Sequence, residues 1–281
     1  MGNISQLPPL RETIARHGLS ARKGLGQNFI LDLNLTRKIA RAAGDLAGVH
    51  VIEIGPGPGG LTRALLESGA ASVTVIELDP RAVAVMRELH AHADGRLNII
   101  EGDALAFDIA TAPAPRVIIA NLPYHVASQL LIAWLRRAAE IKSITIMLQK
   151  EMAQRLVAQP RTAAYGRLSV MCQWLCDVKL LFDVPPSAFV PPPKVTSSIV
   201  QLIPRADAFV VSFDSMEKTV ALAFSQRRKM LKGILNAAGY DGPGLMLTIG
   251  ASPTARAEEL VVDEFVKLAV SLDFGDRPER T

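Results

Sequence analysis

Between residues 49 and 148 short apolar runs alternate with amphipathic stretches, and that alternation leaves little choice of architecture. The runs at 49–54, 72–77, 97–101, 116–120 and 144–148 are rich in Val and Ile and too short for buried helices, so they read as strands. The stretches at 61–68, 81–91 and 128–137 carry helical spacing. Strands separated by helices run parallel, because a parallel pair needs a crossover where an antiparallel pair needs only a turn. The fold class that follows is α/β, a Rossmann-like doubly wound sheet. At 281 residues and 49% apolar, the chain can fill one such core and carry an appendage.

The flanks read differently. A short helical pattern covers residues 10–17, and the glycine-punctuated, initially basic stretch 22–30 reads as a loop. Asp32 or Asn34 can cap a helix that ends at Gly44. After Lys150 come a helix to residue 157, a loop at 161–167 and a helix at 168–176. Two strand-like runs, 178–184 and 197–203, are joined by the proline-rich segment 185–194 without a crossover helix, which predicts an antiparallel addition to the sheet edge. A break at 204–207 sets the expected boundary, with domains at 1–204 and 205–281. The second is all helical, over 214–236, 244–247 and 255–272. Cys172 and Cys176 stand four apart in a helical-looking segment without further Cys or a nearby His pair, so they read as buried reduced thiols and no metal site is expected. With neither a leader pattern nor an 18-residue apolar run, the expectation is a soluble cytoplasmic protein, monomeric and without a membrane partner.

In a parallel sheet, ligands sit beyond the carboxyl ends of the strands, and there this chain concentrates its chemistry. Gly55, Gly57 and Gly60 satisfy G-x-G-x-x-G after the first strand, and Glu77 ends the second at the spacing of a ribose-binding acid. A dinucleotide would fit that pattern, but the Glu53 carboxylate would repel its pyrophosphate. S-adenosylmethionine carries an ammonium and a sulfonium and no phosphate, so Glu53 favours it. Asp103, after the third strand, can accept from an adenine amino group. Any one of these acids could be a solvated strand end; three in register suit a cationic nucleoside.

The fourth strand ends in Asn121-Leu122-Pro123-Tyr124. The Asn121 side-chain oxygen and the Leu122 carbonyl can both accept from an exocyclic amine, Pro123 stiffens the turn, and Tyr124 offers a stacking face. An Asx turn with a rim tyrosine would also account for the tetrapeptide. Two acceptors matter because an aryl amine is a poor nucleophile while its lone pair is delocalised into the ring. Holding both N–H bonds lets the nitrogen turn tetrahedral and aim that pair at an electrophile. His125 is assigned to packing or rim contact, since a neutral-leaving sulfonium needs no general acid.

With these residues in hand, the chain resembles the ribosomal RNA adenine dimethyltransferase family, in its branch that modifies small-subunit rRNA. The resemblance is carried by residues 26–30, 53–60, 77–79, 102–104, 121–124, 148–151, 165–170 and 185–195, in the family's order, and spans about 22–235. At Leu25 the chain departs from it, since such enzymes often have an aromatic there. The resemblance implies a class I S-adenosylmethionine-dependent methyltransferase domain, with contacts to the cofactor from Asn28, Ile30, Gly55, Glu77, Asp103 and Asn121. It implies aromatic walls at Tyr124 and Phe189 around a flipped adenine. It also implies two methyl groups placed on each of two adjacent adenosines in a hairpin near the 3′ end of the rRNA, during small-subunit biogenesis, with S-adenosylhomocysteine as product.

Grip on RNA is expected from basic stretches free of acids along the chain: Arg227, Arg228, Lys229 and Lys232 within 218–240, and Arg155, Arg161 and Arg167. Solvated helix faces would look the same. Three other readings stay open at this point: a methyltransferase of large-subunit rRNA, a ribosome-assembly checkpoint in which binding outweighs catalysis, and a dinucleotide dehydrogenase.

Overall fold

A computed structural model describes residues 4–22, 26–124, 126–206 and 211–272. Its strands are β1 (Phe29–Ile30), β2 (His50–Ile54), β3 (Ser72–Glu77), β4 (Leu97–Glu101), β5 (Arg116–Asn121), β6 (Ser143–Gln149), β7 (Cys176–Val184), β8 (Phe189–Val190) and β9 (Ser197–Pro204). The helices among them are α1 (Leu10–Arg16), α2 (Leu33–Ala42), α3 (Gly60–Glu67), α4 (Pro80–His90), α5 (Ala127–Leu135), α6 (Lys150–Leu156) and α7 (Arg167–Leu175). Four more follow the last strand: α8 (Phe213–Ala223), α9 (Leu231–Ala237), α10 (Gly242–Thr248) and α11 (Val262–Leu272).

Seven strands form one sheet in the order β4-β3-β2-β5-β6-β9-β7. The pairs from β4 through β6 are parallel, as the alternation predicts, and β9 enters antiparallel to β6 with Ser197 opposite Gln149. Val51, Ile52, Val73, Val75, Ile118, Ile119, Ile144 and Ile146 are all but fully buried. Covered on both faces, such strands must be apolar throughout, which is why they read as runs rather than alternations. Each side chain of this size stabilises by about 1.5–3 kcal/mol on burial. The order reverses at β2, with β3 on one side and β5 on the other, and a crevice opens at such a reversal.

The helices start where the sequence supplies caps. The Asp32 carboxylate accepts from the Asn34 amide at 2.8 Å to open α2, and Asp79 does the same for Arg81 at 3.1 Å to open α4, with Pro80 in the first turn.

Several features differ from the sequence reading. Phe29 and Ile30, expected in a loop, form a two-stranded antiparallel ribbon with Val190 and Phe189. That pairing spans 160 residues of chain and leaves no local periodicity to detect. The expected helical stretch 214–236 is two helices, α8 and α9, because the chain tightens into a 3₁₀ turn at Phe224–Gln226 before the exposed Arg227–Met230 segment. Cys176 begins β7 rather than ending a helix, and both cysteines are free and buried.

The chain divides into two compact units, 1–153 with 179–204, and 154–178 with 205–281. Residues 154–178, which a single cut at 204 leaves with the first unit, group with the C-terminal helices, although 176–178 open β7 of the sheet. Within this second unit the buried Tyr165 hydroxyl donates to the Leu260 carbonyl at 2.9 Å, and its ring meets Phe224 edge-on at 6.4 Å. Phe224 in turn stacks on Phe265. Among the described residues no helix is long and apolar enough to cross a membrane, and no cluster of His, Cys, Asp or Glu could hold a metal ion.

Candidate active site

A cleft of about 1220 Å³, its open mouth included, lies within the first unit beyond the ends of β2, β3, β4 and β5. Its lining holds Asn28, Ile30, Glu53, Gly55, Glu77, Asp103 and all four residues of Asn121–Tyr124, which the tertiary fold brings together from five separate segments.

The glycine turn sets one wall. Gly55 and Gly57 have φ of +64° and +52°, a region that side chains rarely enter. A β-carbon on Gly57 would stand 3.0 Å from the Phe29 ring, and one on Gly60 would stand 3.1 Å from the Ile30 carbonyl. The turn is therefore built for close approach of the 26–30 segment. Its amide does not wait for a phosphate, because Gly57 N–H donates to the Glu77 carboxylate at 3.4 Å.

Glu77 is 7% exposed and accepts two further backbone bonds, from Leu78 and Asp79, each at 2.8 Å. Burial raises its pKa above the ordinary carboxylate range even though those N–H groups favour the anion. Glu53, 1% exposed, accepts from the Thr62 hydroxyl at 2.7 Å. Burial pushes its carboxyl up to about 8, with the Thr62 bond working the other way and nearby Glu77 adding repulsion. The cleft therefore holds a poorly solvated acid that gains a counter-charge when a cation enters. Asp103 is exposed at the rim, one oxygen taken by the Leu105 amide at 2.9 Å. Leu78 and Leu105, 59% and 42% exposed, flank the same end and offer apolar surface to a flat ring.

At the opposite end, the Asn121 amide nitrogen donates to the Asn28 carbonyl at 3.3 Å. That bond orients the amide and leaves its oxygen as the acceptor. The Tyr124 hydroxyl is 2.8 Å from the Ser197 hydroxyl at the start of β9. The loop carrying Asn28 is itself held. Gln27 bonds Arg22 N–H at 3.0 Å and the Asp79 carboxylate at 3.1 Å, while Arg81 pairs with Asp79 at 2.6 Å and reaches the Gly18 and Ser20 carbonyls. The Arg81 guanidinium holds the Asp79 carboxyl down at about 2.

Phe189 is not brought to the lining. At 2% exposure its ring belongs to the core around Phe29 and Ile30, because pairing with Ile30 turns it inward. His125 and Leu25 lie outside the described residues. Thr62, Ser197, Gln27 and Arg81 were not singled out from sequence; each acts through a partner that only folding places beside it.

The basic residues lie in the second unit. Arg155, Arg161, Arg167, Arg228 and Lys229 are exposed, and Lys232 is half-buried. Arg227 is committed elsewhere: it pairs with Glu258 at 2.8 Å and donates to the Ala163 carbonyl at 2.6 Å. Arg161 lies 4.0 Å from Glu259. Stretches without acids along the chain are thus not acid-free in space.

Comparison with known proteins agrees with this geometry. Residues 18–273 match the family described as ribosomal RNA adenine dimethylase. The chain is 53% identical over 272 residues to ribosomal RNA small subunit methyltransferase A of Paramagnetospirillum magneticum, covering 96% of each chain. To the protein of that name from Rhodospirillum rubrum it is 55% identical over 269 residues, covering 95% of this chain and 93% of the relative. Among solved structures, a dimethyladenosine transferase from Plasmodium falciparum superposes with a TM-score of 0.74 at 28% identity, over 86% of this chain and 96% of its own. The 23S rRNA methyltransferase ErmE does so at 0.66 and 27%, over 88% and 100%. The sheet is that of class I S-adenosylmethionine-dependent methyltransferases, and by sequence, architecture and strand-end residues the chain belongs to the ribosomal RNA adenine dimethylase family.

Proposed function

We propose that this chain uses S-adenosylmethionine to dimethylate the exocyclic amines of two adjacent adenosines in a hairpin near the 3′ end of small-subunit rRNA, acting in the cytoplasm as a monomer on the immature subunit. One observation carries the reading: Asn121, held by Asn28 with its oxygen free to accept, opens into the same cleft as the buried acids Glu53 and Glu77. The residues fit the cofactor and disfavour a dinucleotide. The Gly57 amide is engaged by a carboxylate, and Glu53 would sit against a pyrophosphate.

S-adenosylmethionine, when bound, supplies an electrophilic methyl carbon and departs as S-adenosylhomocysteine. Glu77 would accept from ribose hydroxyls, Asp103 from the cofactor's adenine, and Glu53 would balance the positive charge, with Ile30 and Gly55 shaping the walls. On the substrate side, Asn121 Oδ1 and the Leu122 carbonyl would accept both N–H bonds of the target amine. They would steer its lone pair toward the methyl, and the proton would leave late to water. Tyr124 would stack on the extruded base, a contact worth about 1–3 kcal/mol, while Pro123 keeps the turn rigid. Alignment of this kind can supply about 7–11 kcal/mol of a barrier. Phe189, buried here, would back the Ile30 strand rather than form a second wall in this conformation. Arg155, Arg161, Arg167, Arg228, Lys229 and Lys232 would meet phosphates, with Arg227 supporting the segment that presents two of them.

The small-subunit substrate is favoured over the large-subunit one because relatives above 50% identity bear the small-subunit name, whereas ErmE stands at 27%. The test is incubation of the purified protein with labelled cofactor and either immature small or large subunits, followed by mapping of the modified nucleotides. Dimethyladenosine at two adjacent positions in small-subunit RNA is expected. Label confined to large subunits, or none, overturns the proposal.

A further inference from the structure

We infer that Ser197 is a positioning residue for methyl transfer, holding the Tyr124 phenol so that the ring keeps one orientation at the cleft. The inference rests on the function proposed above and assigns a role to a residue outside the cleft lining.

The Tyr124 hydroxyl lies 2.8 Å from Oγ of Ser197, a residue outside the cleft lining. Ser197 is fully buried and stands first in β9, opposite Gln149, the last residue of β6. The Lys150 amide donates to the Thr196 carbonyl at 2.9 Å and carries the ladder one step past Ser197. The serine therefore sits on a fixed base. Its neighbour Ser198 faces the other way, as alternate strand residues must, and donates to Asp183 at 2.6 Å. The other Asp183 oxygen is taken by Lys150, also at 2.6 Å. Asp183 thus serves Ser198 and Lys150, and the Ser197 hydroxyl is left for Tyr124.

Tyr124 leaves the sheet three residues after Asn121, in a turn closed by the Val126 amide on the Pro123 carbonyl at 3.2 Å. A turn fixes the backbone but leaves the ring free to swing about its first side-chain torsion. A bond at the far tip of the ring removes that freedom. Both groups that grip the substrate amine and its ring are then referenced to neighbouring structure, Asn121 through Asn28 and Tyr124 through Ser197. The phenol is consumed in holding the ring rather than in proton transfer. Ring position governs attack geometry more than cofactor affinity, so loss of the pin lowers kcat and leaves the cofactor site intact.

The test compares Ser197→Ala, Ser197→Thr, Tyr124→Phe and the Ala/Phe double variant in the full-length chain, on immature small subunits. Ser197→Ala and Tyr124→Phe should each lower kcat by about tenfold, the value of one lost hydrogen bond. KM for S-adenosylmethionine and Kd for S-adenosylhomocysteine should stay unchanged, while Tm falls by no more than the few degrees that one hydrogen bond accounts for. The double variant should be no slower than either single one, because both remove the same contact, and Ser197→Thr should restore the rate. Multiplying losses in the double variant, or a wild-type rate in Ser197→Ala, overturns the inference. Should Ser197→Ala fold poorly, Tyr124→Phe alone decides, and a wild-type kcat there is fatal. The ¹³Cζ shift of Tyr124, one of three tyrosines, is read without any turnover. It should move in Ser197→Ala, and an unmoved signal refutes the pin. Absence of dimethyladenosine with the wild-type chain would instead refute the proposed function, while the shift still decides the contact.

Discussion

Replacing Glu53 by Gln should make the ligand-free protein more stable, and the gain should grow with pH. Glu53 is 1% exposed, and burial pushes its carboxyl from the ordinary 4.5 up to about 8. Below pH 4.5 the group holds its proton in both folded and unfolded chains. Above it, folding must retain a proton that the unfolded chain has released. Stability from this residue is therefore full at low pH, falls across the window from 4.5 to about 8, and levels off beyond. The slope is about 1.36 kcal/mol per pH unit, so between about pH 5 and 7.5 the variant should gain about 3 kcal/mol on the wild type. Gln has the same shape and can still accept from Thr62 through its carbonyl oxygen. Urea titrations of both proteins across that range measure the difference, which reports Glu53 together with its repulsion of Glu77, since groups farther away titrate alike in the pair. The substitution should also weaken S-adenosylhomocysteine binding, since the counter-charge for its ammonium is gone. A variant less stable than wild type at pH 7.5, or a difference that does not change with pH, refutes the reasoning.

Asn121→Ala should lower single-turnover methylation by about 10²-fold or more, as loss of one oriented polar group at a reacting centre does, with a far smaller change in calorimetric affinity for S-adenosylhomocysteine. Gly57→Ala should cost about 1–2 kcal/mol in urea unfolding, because φ there is +52° and the new methyl meets the Phe29 ring at 3.0 Å. Arg227→Ala should lower the stability of the second unit by about 1 kcal/mol through its lost bonds to Glu258 and Ala163, visible as a lower Tm. The double change Arg228→Ala with Lys229→Ala should leave Tm alone, weaken subunit binding, and flatten its dependence on salt by about two phosphate contacts.

What the sequence by itself determined was everything with a local or periodic cause. The βα alternation fixed a parallel sheet, since strands buried on both faces must be continuous apolar runs and their crossovers must be helices. Strand ends then marked Glu53, Glu77, Asp103 and Asn121, because each lies within two residues of the end of its run, and the structure places all four in one cleft. Tertiary structure alone decided what depends on partners distant in the chain. Phe29 and Ile30 became a strand because Phe189 and Val190 lie beside them, and the same pairing buried the Phe189 ring. Asn121 gained its orientation from a backbone carbonyl 93 residues away, and Tyr124 its hydroxyl partner from a serine 73 residues on. Arg227 stands in a basic run along the chain yet folds against Glu258. Periodicity reports which face of an element meets the core; it carries no record of which side chain waits on the other side.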